Sequence, residues 1–167
     1  KSKTELCLKY IALYHYKKAG FSGAGQLTQF DTTQFATHLE LPLADTVDLK
    51  ASYDGIEEKG GRKNTRVDID LVKRFDEHLS VTFAGTMDSL QNSPAVQNGS
   101  RIEAAVRVDY NSGEDWTAYI YGQDTVRAYD GREVNNRAGI GGTYRVSDDI
   151  TLGGEISDGK AGIGALA

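Results

Sequence analysis

The sequence lacks the residue patterns of disulfides, of metal sites and of common catalytic nucleophiles. It has one cysteine, Cys7, which excludes an internal disulfide and a cysteine-based zinc site. Its three histidines, His15, His38 and His78, are spaced unlike the ligands of a metal site, and no G-x-S-x-G nucleophile motif is present. The sequence therefore predicts a protein that is not an enzyme, with no catalytic residue, metal or cofactor.

Long apolar runs and basic stripes are also missing. No stretch of about 18 apolar residues occurs, which excludes a transmembrane helix. The formal net charge of −5 argues against a nucleic-acid partner. The length of 167 residues is that of one ordinary domain, and we expect residues 1–167 to form a single unit.

What the sequence does contain is a series of alternating segments. In RVDIDLVKRF, residues 66–75, apolar side chains occupy one parity and charged side chains the other, as in a β-strand with two unlike faces. The same alternation predicts strands over 33–41, 46–54, 66–75, 79–88, 101–110, from 116 onward, 138–146 and 150–157, and the start of a tenth over 160–167. Residues 4–18 also alternate, but Thr4 and Gly20 fit the ends of a helix, so residues 1–20 are a first strand, which we favour, or a helix.

The connections between these segments alternate in length along the chain. Residues 42–45, 76–78, 111–115 and 147–149 are short, whereas 19–32, 54–65, 88–100 and 125–136 are long and polar. In an up-and-down meander, successive connections lie at opposite ends of the sheet. All the short connections therefore lie at one end and all the long loops at the other. Outer-membrane barrels have this asymmetry.

The alternation does not say which face meets water. Small residues such as Ala51, Gly85 and Gly142 lie on the apolar face, where they are poorly suited to a close-packed core. We therefore expect an all-β, antiparallel up-and-down transmembrane β-barrel of about 8–10 strands or more, with a soluble barrel or sandwich as the alternative. Two aromatic girdles are predicted on the apolar face, consisting of Tyr16, Phe35, Tyr53, Phe75, Tyr110, Trp116 and Tyr144.

The opposite face is predicted to line the lumen with charges of both signs. Its candidate residues are Asp48, Lys50, Arg66, Asp68, Asp70, Arg74, Glu103, Arg107, Asp109, Arg145 and Glu155. If the predicted strands over 66–75, 79–88 and 101–110 are neighbours, the three arginines Arg66, Arg74 and Arg107 lie within reach of four carboxylates, and we expect cross-strand ion pairs among them. The four carboxylates are Asp68, Asp70, Glu103 and Asp109. Because a barrel of this size encloses little more than its own side chains, these pairs should largely fill it. The alternative is an ion pathway lined by the same charges.

Two stretches resemble known hairpins. NNRAGIGGTYRVSDDITLGGEISDGKAGIGA and ELPLADTVDLKASYDG look like hairpins of bacterial outer-membrane β-barrels, and residues 30–167 resemble the barrel regions of large bacterial surface proteins. The resemblance implies an outer-membrane location but supplies no functional residues. The chain lacks an initiating Met and stops at Ala167 within an alternating segment, without the terminal aromatic of complete barrels. We therefore expect an incomplete barrel or an excised piece.

The expected function is that of a non-catalytic membrane anchor or surface-display element. Its partners would be outer-membrane lipid and fused or neighbouring surface domains. The first alternative is a small outer-membrane pore. The second is a soluble lipocalin-like barrel that binds a small apolar ligand in its interior.

Overall fold

The structure, a computed structural model, describes residues 7–20, 22–23, 26–27, 29–92 and 98–159. The described chain is all-β, and nine of its strands form one antiparallel meander in the order β1-β4-β5-β6-β7-β8-β9-β10-β11. The strands are β1 Lys9–Lys17, β2 Ser22–Gly23, β3 Gln26–Leu27, β4 Thr32–Ala44, β5 Val47–Glu58, β6 Lys63–Arg74, β7 Leu79–Gln91, β8 Gly99–Asn111, β9 Trp116–Tyr129, β10 Arg137–Ser147 and β11 Ile150–Gly159. The described residues contain no helix long and apolar enough to cross a membrane.

The all-β meander and its strand order are confirmed. Residues 9–17 form a strand, so the favoured interpretation of this segment is confirmed and its helical alternative is wrong for these residues. Thr4 and the tenth strand expected over 160–167 lie outside the described residues. The sheet is not closed: β1 and β11 are its two edges, and among the described strands β1 pairs with β4 alone and β11 with β10 alone.

The strands are longer than the alternation predicted, because they continue into the polar segments. β5 ends at Glu58 and β6 begins at Lys63, so only residues 59–62 connect them, and the long connection expected over 54–65 is wrong. The short-turn end of the sheet has connections 45–46, 75–78, 112–115 and 148–149, and the opposite end has 18–31, 59–62, 92–98 and 130–136. The asymmetry therefore remains but is smaller than expected. The first of the longer connections contains the β2–β3 hairpin, which no sequence signal predicted.

The two faces of the sheet differ in burial: the apolar face is exposed and the polar face is covered. On the apolar face, Phe83 is 52% exposed and Ile120 is 56% exposed. On the polar face, Thr86 is 3% exposed and Glu103 is 1% exposed. Side chains crowd on the inside of a curved sheet and splay on the outside, so this sheet curls with its polar face inward. We call these the inner, polar face and the outer, apolar face.

Glycines on the inner face of β10 make room for tyrosine rings of β9. Gly139 and Gly141 are the register partners of Tyr121 and Tyr119. A Cβ added at Gly141 would lie 2.5 Å from the Tyr119 ring, and one added at Gly139 would lie 2.7 Å from the Tyr121 ring. The two rings therefore lie across the glycine backbone, which lets them reach β11.

We expect the substitution Gly141→Ala to destabilise the protein by about 1–3 kcal/mol, because the new methyl group displaces the Tyr119 ring from its place. Gly154→Ala is the matched control, since a Cβ there meets nothing within 4 Å. Urea titration of both variants measures the difference, and equal unfolding free energies would contradict the packing argument.

Candidate functional site

The candidate site is the inner, polar face, where most charged side chains find partners. Arg74 pairs with Asp48 across the strands β6 and β5. Arg66 Nη2 lies 2.7 Å from Asp68 Oδ1 on its own strand. Lys50 is the register partner of Asp70, whose buried Oδ1 accepts no hydrogen bond within the described residues.

A second group of inner-face residues joins β8, β9 and β11. The hydroxyl groups of Tyr119 and Tyr121 donate hydrogen bonds to Glu155, at 2.6 and 2.9 Å. The guanidinium of Arg107 lies 3.9 Å from the centre of the Tyr119 ring, and it pairs with Asp109 on its own strand at 2.8 Å. The phenol rings thus link an arginine to a carboxylate three strands away.

Arg74 pairs across strands, but with Asp48, which is not among the four expected carboxylates. Arg66 and Arg107 pair with Asp68 and Asp109, two residues further along their own strands. Arg145 lies at the short-turn end, where its Nε is 3.3 Å from Asp115 of the connection 112–115. Glu103 makes its contacts elsewhere, under the segment that joins β9 to β10.

That segment, residues 130–136, folds back over the inner face, and we call it the latch. The amide of Asn135 donates to Glu103 Oε1 at 2.9 Å, and Gln123 donates both to the same oxygen, at 3.0 Å, and to the backbone carbonyl of Asn135, at 2.9 Å. All three residues are buried. The latch therefore satisfies polar groups of β8 and β9 that the sheet alone leaves exposed.

A buried ion-pair group holds the other half of the latch. Arg132 pairs with Asp88 of β7. Arg101 lies between acids, 3.6 Å from Asp88 and 3.2 Å from Glu103, and it also donates to the backbone carbonyl of Glu133 at 3.2 Å. Two carboxylates and two guanidinium groups thus meet at this point, so the buried charges balance. Removing one partner of such a group is strongly destabilising.

The outer face carries an apolar belt that runs obliquely across the sheet. On β4 its side chains extend from Phe35 to Leu41, and on β10 from Ala138 to Tyr144. The register row that starts at Leu41 passes through Leu49, Leu71, Phe83, Val106 and Gly122 and arrives at Ala138. One register row therefore joins two different ends of the belt. On β4 it meets the end nearest the short turns, and on β10 it meets the end nearest the long connections.

This offset gives the tilt of the strands relative to the belt. The belt shifts by about one residue per strand, and one residue is about 3.3 Å along a strand while neighbouring strands lie about 4.8 Å apart. The strands are therefore inclined by about 35° to the normal of the belt. Strands of closed and membrane-spanning barrels are tilted by about 35–45°.

Aromatic side chains mark both margins of the belt. At the short-turn margin, the rings of Tyr110 and Trp116 stack with centroids 5.1 Å apart, and Tyr144 is the register partner of Trp116. Phe75 lies in the turn 75–78, and the ammonium of Lys73 lies 6.0 Å from the centre of its ring.

The opposite margin is shared by β1, β4 and β5. The rings of Phe35 and Tyr53 lie 6.0 Å apart, and Tyr14 of β1 is the register partner of Phe35. Tyr16 lies one outward position further along β1 and is half exposed. The seven aromatic residues singled out in the sequence therefore divide into one group at each end of the strands.

Two aspartates outside the strands order the connections. Asp76 accepts the backbone N–H groups of His78 and Leu79 at 2.8 and 2.7 Å, and these hydrogen bonds hold its pKa below the ordinary value. Asp31 accepts the backbone N–H of Ala19 at 2.8 Å, which is the main reason that its pKa is lowered, with help from hydrogen bonding to Tyr16. At each end of the sheet, one connection is thus ordered by charge-assisted hydrogen bonds to an aspartate.

The residues around the latch differ in their sequence signal. Asp88 and Arg101 stand at the ends of the predicted strands 79–88 and 101–110 and share the inner parity of those strands, although neither is among the candidate lumen residues. Arg132 and Asn135 lie in an irregular segment, where no periodicity indicates what a side chain contacts. Across the described ranges, no group of three or more His, Cys, Asp or Glu is arranged to hold a metal ion.

Comparison with protein-family models, curated proteins and solved structures found no match to this chain.

We expect Asp76→Asn to lower the amide exchange protection of His78 and Leu79, because the neutral side chain is a weaker acceptor. A carboxyl group whose pKa is lowered in the folded protein stabilises the fold at pH values above its ordinary pKa of 3.8. This stabilisation is lost as the pH falls through the lowered pKa. Protection factors of the parent protein should therefore hold at pH above 3.8 and decline below it. Glu77→Gln, beside it, is the control, and an identical loss in both variants would refute the role of Asp76.

We expect Asn135→Ala to destabilise the protein by about 1–3 kcal/mol, because Glu103 loses a hydrogen bond while remaining buried. Val134→Ala, in the same segment and 49% exposed, should change stability by no more than about 0.5 kcal/mol. Urea denaturation of both variants is the measurement. Equal effects would show that the latch is held by something other than the contact to Glu103.

Proposed function

We propose that this chain is a bacterial outer-membrane β-barrel segment that serves as a non-catalytic anchor or surface-display element, with a polar lumen that is largely closed. The observation that carries the proposal is the outer, apolar belt, exposed and inclined by the angle that strands take in a membrane barrel. A soluble sheet buries its apolar face, and nothing described covers this one.

The height of the belt supports a lipid environment. The belt covers six residue steps on β4 and β10, and on β8 it extends further, from Ile102 to Tyr110, over eight residue steps or about 27 Å along the strand. At a tilt of about 35° this corresponds to about 22 Å along the membrane normal, close to the apolar band of about 25 Å in such barrels. The aromatic groups at both margins fit the positions where rings meet lipid headgroups.

The inner face supports the closed version of the lumen rather than the pore. Its ion pairs, its tyrosine–Glu155 group and the latch occupy the space that a pathway would need. The lipocalin-like alternative calls for an apolar interior, and the covered face here is polar. Display through fused or neighbouring domains remains part of the proposal and follows from the longer connections at one end.

The barrel proposal requires that the edge strands β1 and β11 gain partners. Lipid offers no hydrogen bonds to unpaired backbone groups, each of which costs several kcal/mol there. We therefore expect the purified chain to give a β circular dichroism spectrum in detergent micelles and a heat-dependent gel mobility. A cooperative β fold in plain buffer, unchanged by micelles, would overturn the proposal.

A charge in the belt gives the sharper test. We expect Ile120→Arg to destabilise the vesicle-inserted protein by about 2–4 kcal/mol, because it places a charge near the middle of the bilayer. Val126→Arg on the same strand is the control, since Val126 is 60% exposed and lies at the margin of the belt, beside the register partner of Ile102, where the cost falls to about 0–1 kcal/mol. Urea unfolding from vesicles, followed by Trp116 fluorescence, measures both variants. Two equal and small effects would mean that the apolar face does not meet lipid.

A further inference from the structure

We propose that the latch, residues 130–136, is a movable plug, and that its release opens an aqueous path along the inner face. The conduction part rests on the proposed membrane function, whereas the movement of the latch does not.

The latch begins at a turn that acts as a hinge. Asp130 and Gly131 follow each other with φ of 55° and 79°, both in the left-handed region. Arg132 N–H then donates to the Tyr129 carbonyl at 3.1 Å, so the chain reverses within two residues. A Cβ added at Gly131 would meet nothing within 4 Å, so the tip of the turn is free of packing.

Side-chain contacts hold the latch where sheet pairing stops. The β9–β10 ladder extends only to the pair Gln123 and Arg137. Beyond it, Thr125 N–H donates to the Asn136 side chain at 2.9 Å, and Asn135 N–H donates to the Thr125 hydroxyl at 2.8 Å. A segment fastened in this way can detach without breaking a strand pair, because the sheet beneath it is complete.

The residues beneath the latch are those that a water-filled lumen would expose. Arg132 and Asn135 reach Asp88 and Glu103, which lie on β7 and β8. Glu103 Oε2 is buried and accepts no hydrogen bond within the described residues, so the contacts of the latch and of Gln123 with Glu103 use its other carboxylate oxygen alone. Leaving a buried acceptor unpaired costs free energy. This cost favours opening, in which water reaches Oε2, and it opposes the contacts that hold the latch closed.

Thiol accessibility tests the movement. In a Cys7→Ser background, Ala105→Cys places a thiol on the inner face at a site that is 4% exposed and adjacent in register to Gln123. We expect a charged, water-soluble thiol reagent to label it slowly in micelles. Adding Arg132→Gln, Asn135→Ala or both should raise the rate by about tenfold or more, since tenfold corresponds to 1.4 kcal/mol of weaker closure.

Two controls separate latch movement from general loosening. Val134→Ala, in the same segment, should leave the labelling rate unchanged, because the apolar side chain of Val134 is half exposed and cannot form a hydrogen bond. Thr143→Cys places the thiol on the inner face at the short-turn end. The latch substitutions should leave the labelling rate of this thiol unchanged. If the double variant does not fold, Arg132→Gln alone carries the test.

Planar-bilayer recording tests the path. Latch variants should give steady ohmic steps that the parent protein gives far less often. An unchanged labelling rate, or inserted variants without conductance, would overturn the plug. Failure of the proposed function has a different signature, since the parent protein itself would then not insert, whereas the labelling measurement in micelles would still report on the latch.

Discussion

The structure depends on the burial of its charged face. A sheet that turns Asp88, Arg101 and Glu103 inward must supply a partner for each charge, because an isolated buried charge is too costly to maintain. The latch, the tyrosine pair on Glu155 and the same-strand arginine–carboxylate pairs meet that requirement locally. Partner positions two residues apart keep both charges on one face of one strand, so the pairing survives even where a neighbouring strand shifts.

Once the charges face inward, the outer surface follows from the alternation of the strands. Every second residue must point outward, and on these strands that residue is apolar or small. Gly122 and Gly154 have open space where a Cβ would be, which a packed interior would not tolerate. The outer face packs against no other described part of the chain, so small residues there leave no cavity inside the fold. The outward glycines and the inward charges are thus two consequences of one alternation.

The sequence was sufficient for the strand order and the two faces, because both depend on a local period of two residues. It was insufficient where structure is fixed by contacts between distant residues. The extension of β5 to Glu58 depends on pairing with β6 up to Lys63, which a polar segment does not reveal. The contact of Asn135 with Glu103 joins residues of an irregular segment and a strand, and neither position carries a period that indicates the other. The oblique belt was also invisible in the sequence, because it appears only when strands are aligned in register.

The open edges place the remaining condition on a barrel. Nine strands in an antiparallel meander leave β1 and β11 running in the same direction. Pairing these two edges directly would therefore make a parallel ladder, whereas antiparallel closure requires an odd number of additional strands between them. The belt constrains the choice further, because any strand that completes the ring must continue the shift of about one residue per strand. A closing strand is thus limited in direction and in register by the nine that are described, and its own outward residues must be apolar at the height that the belt sets.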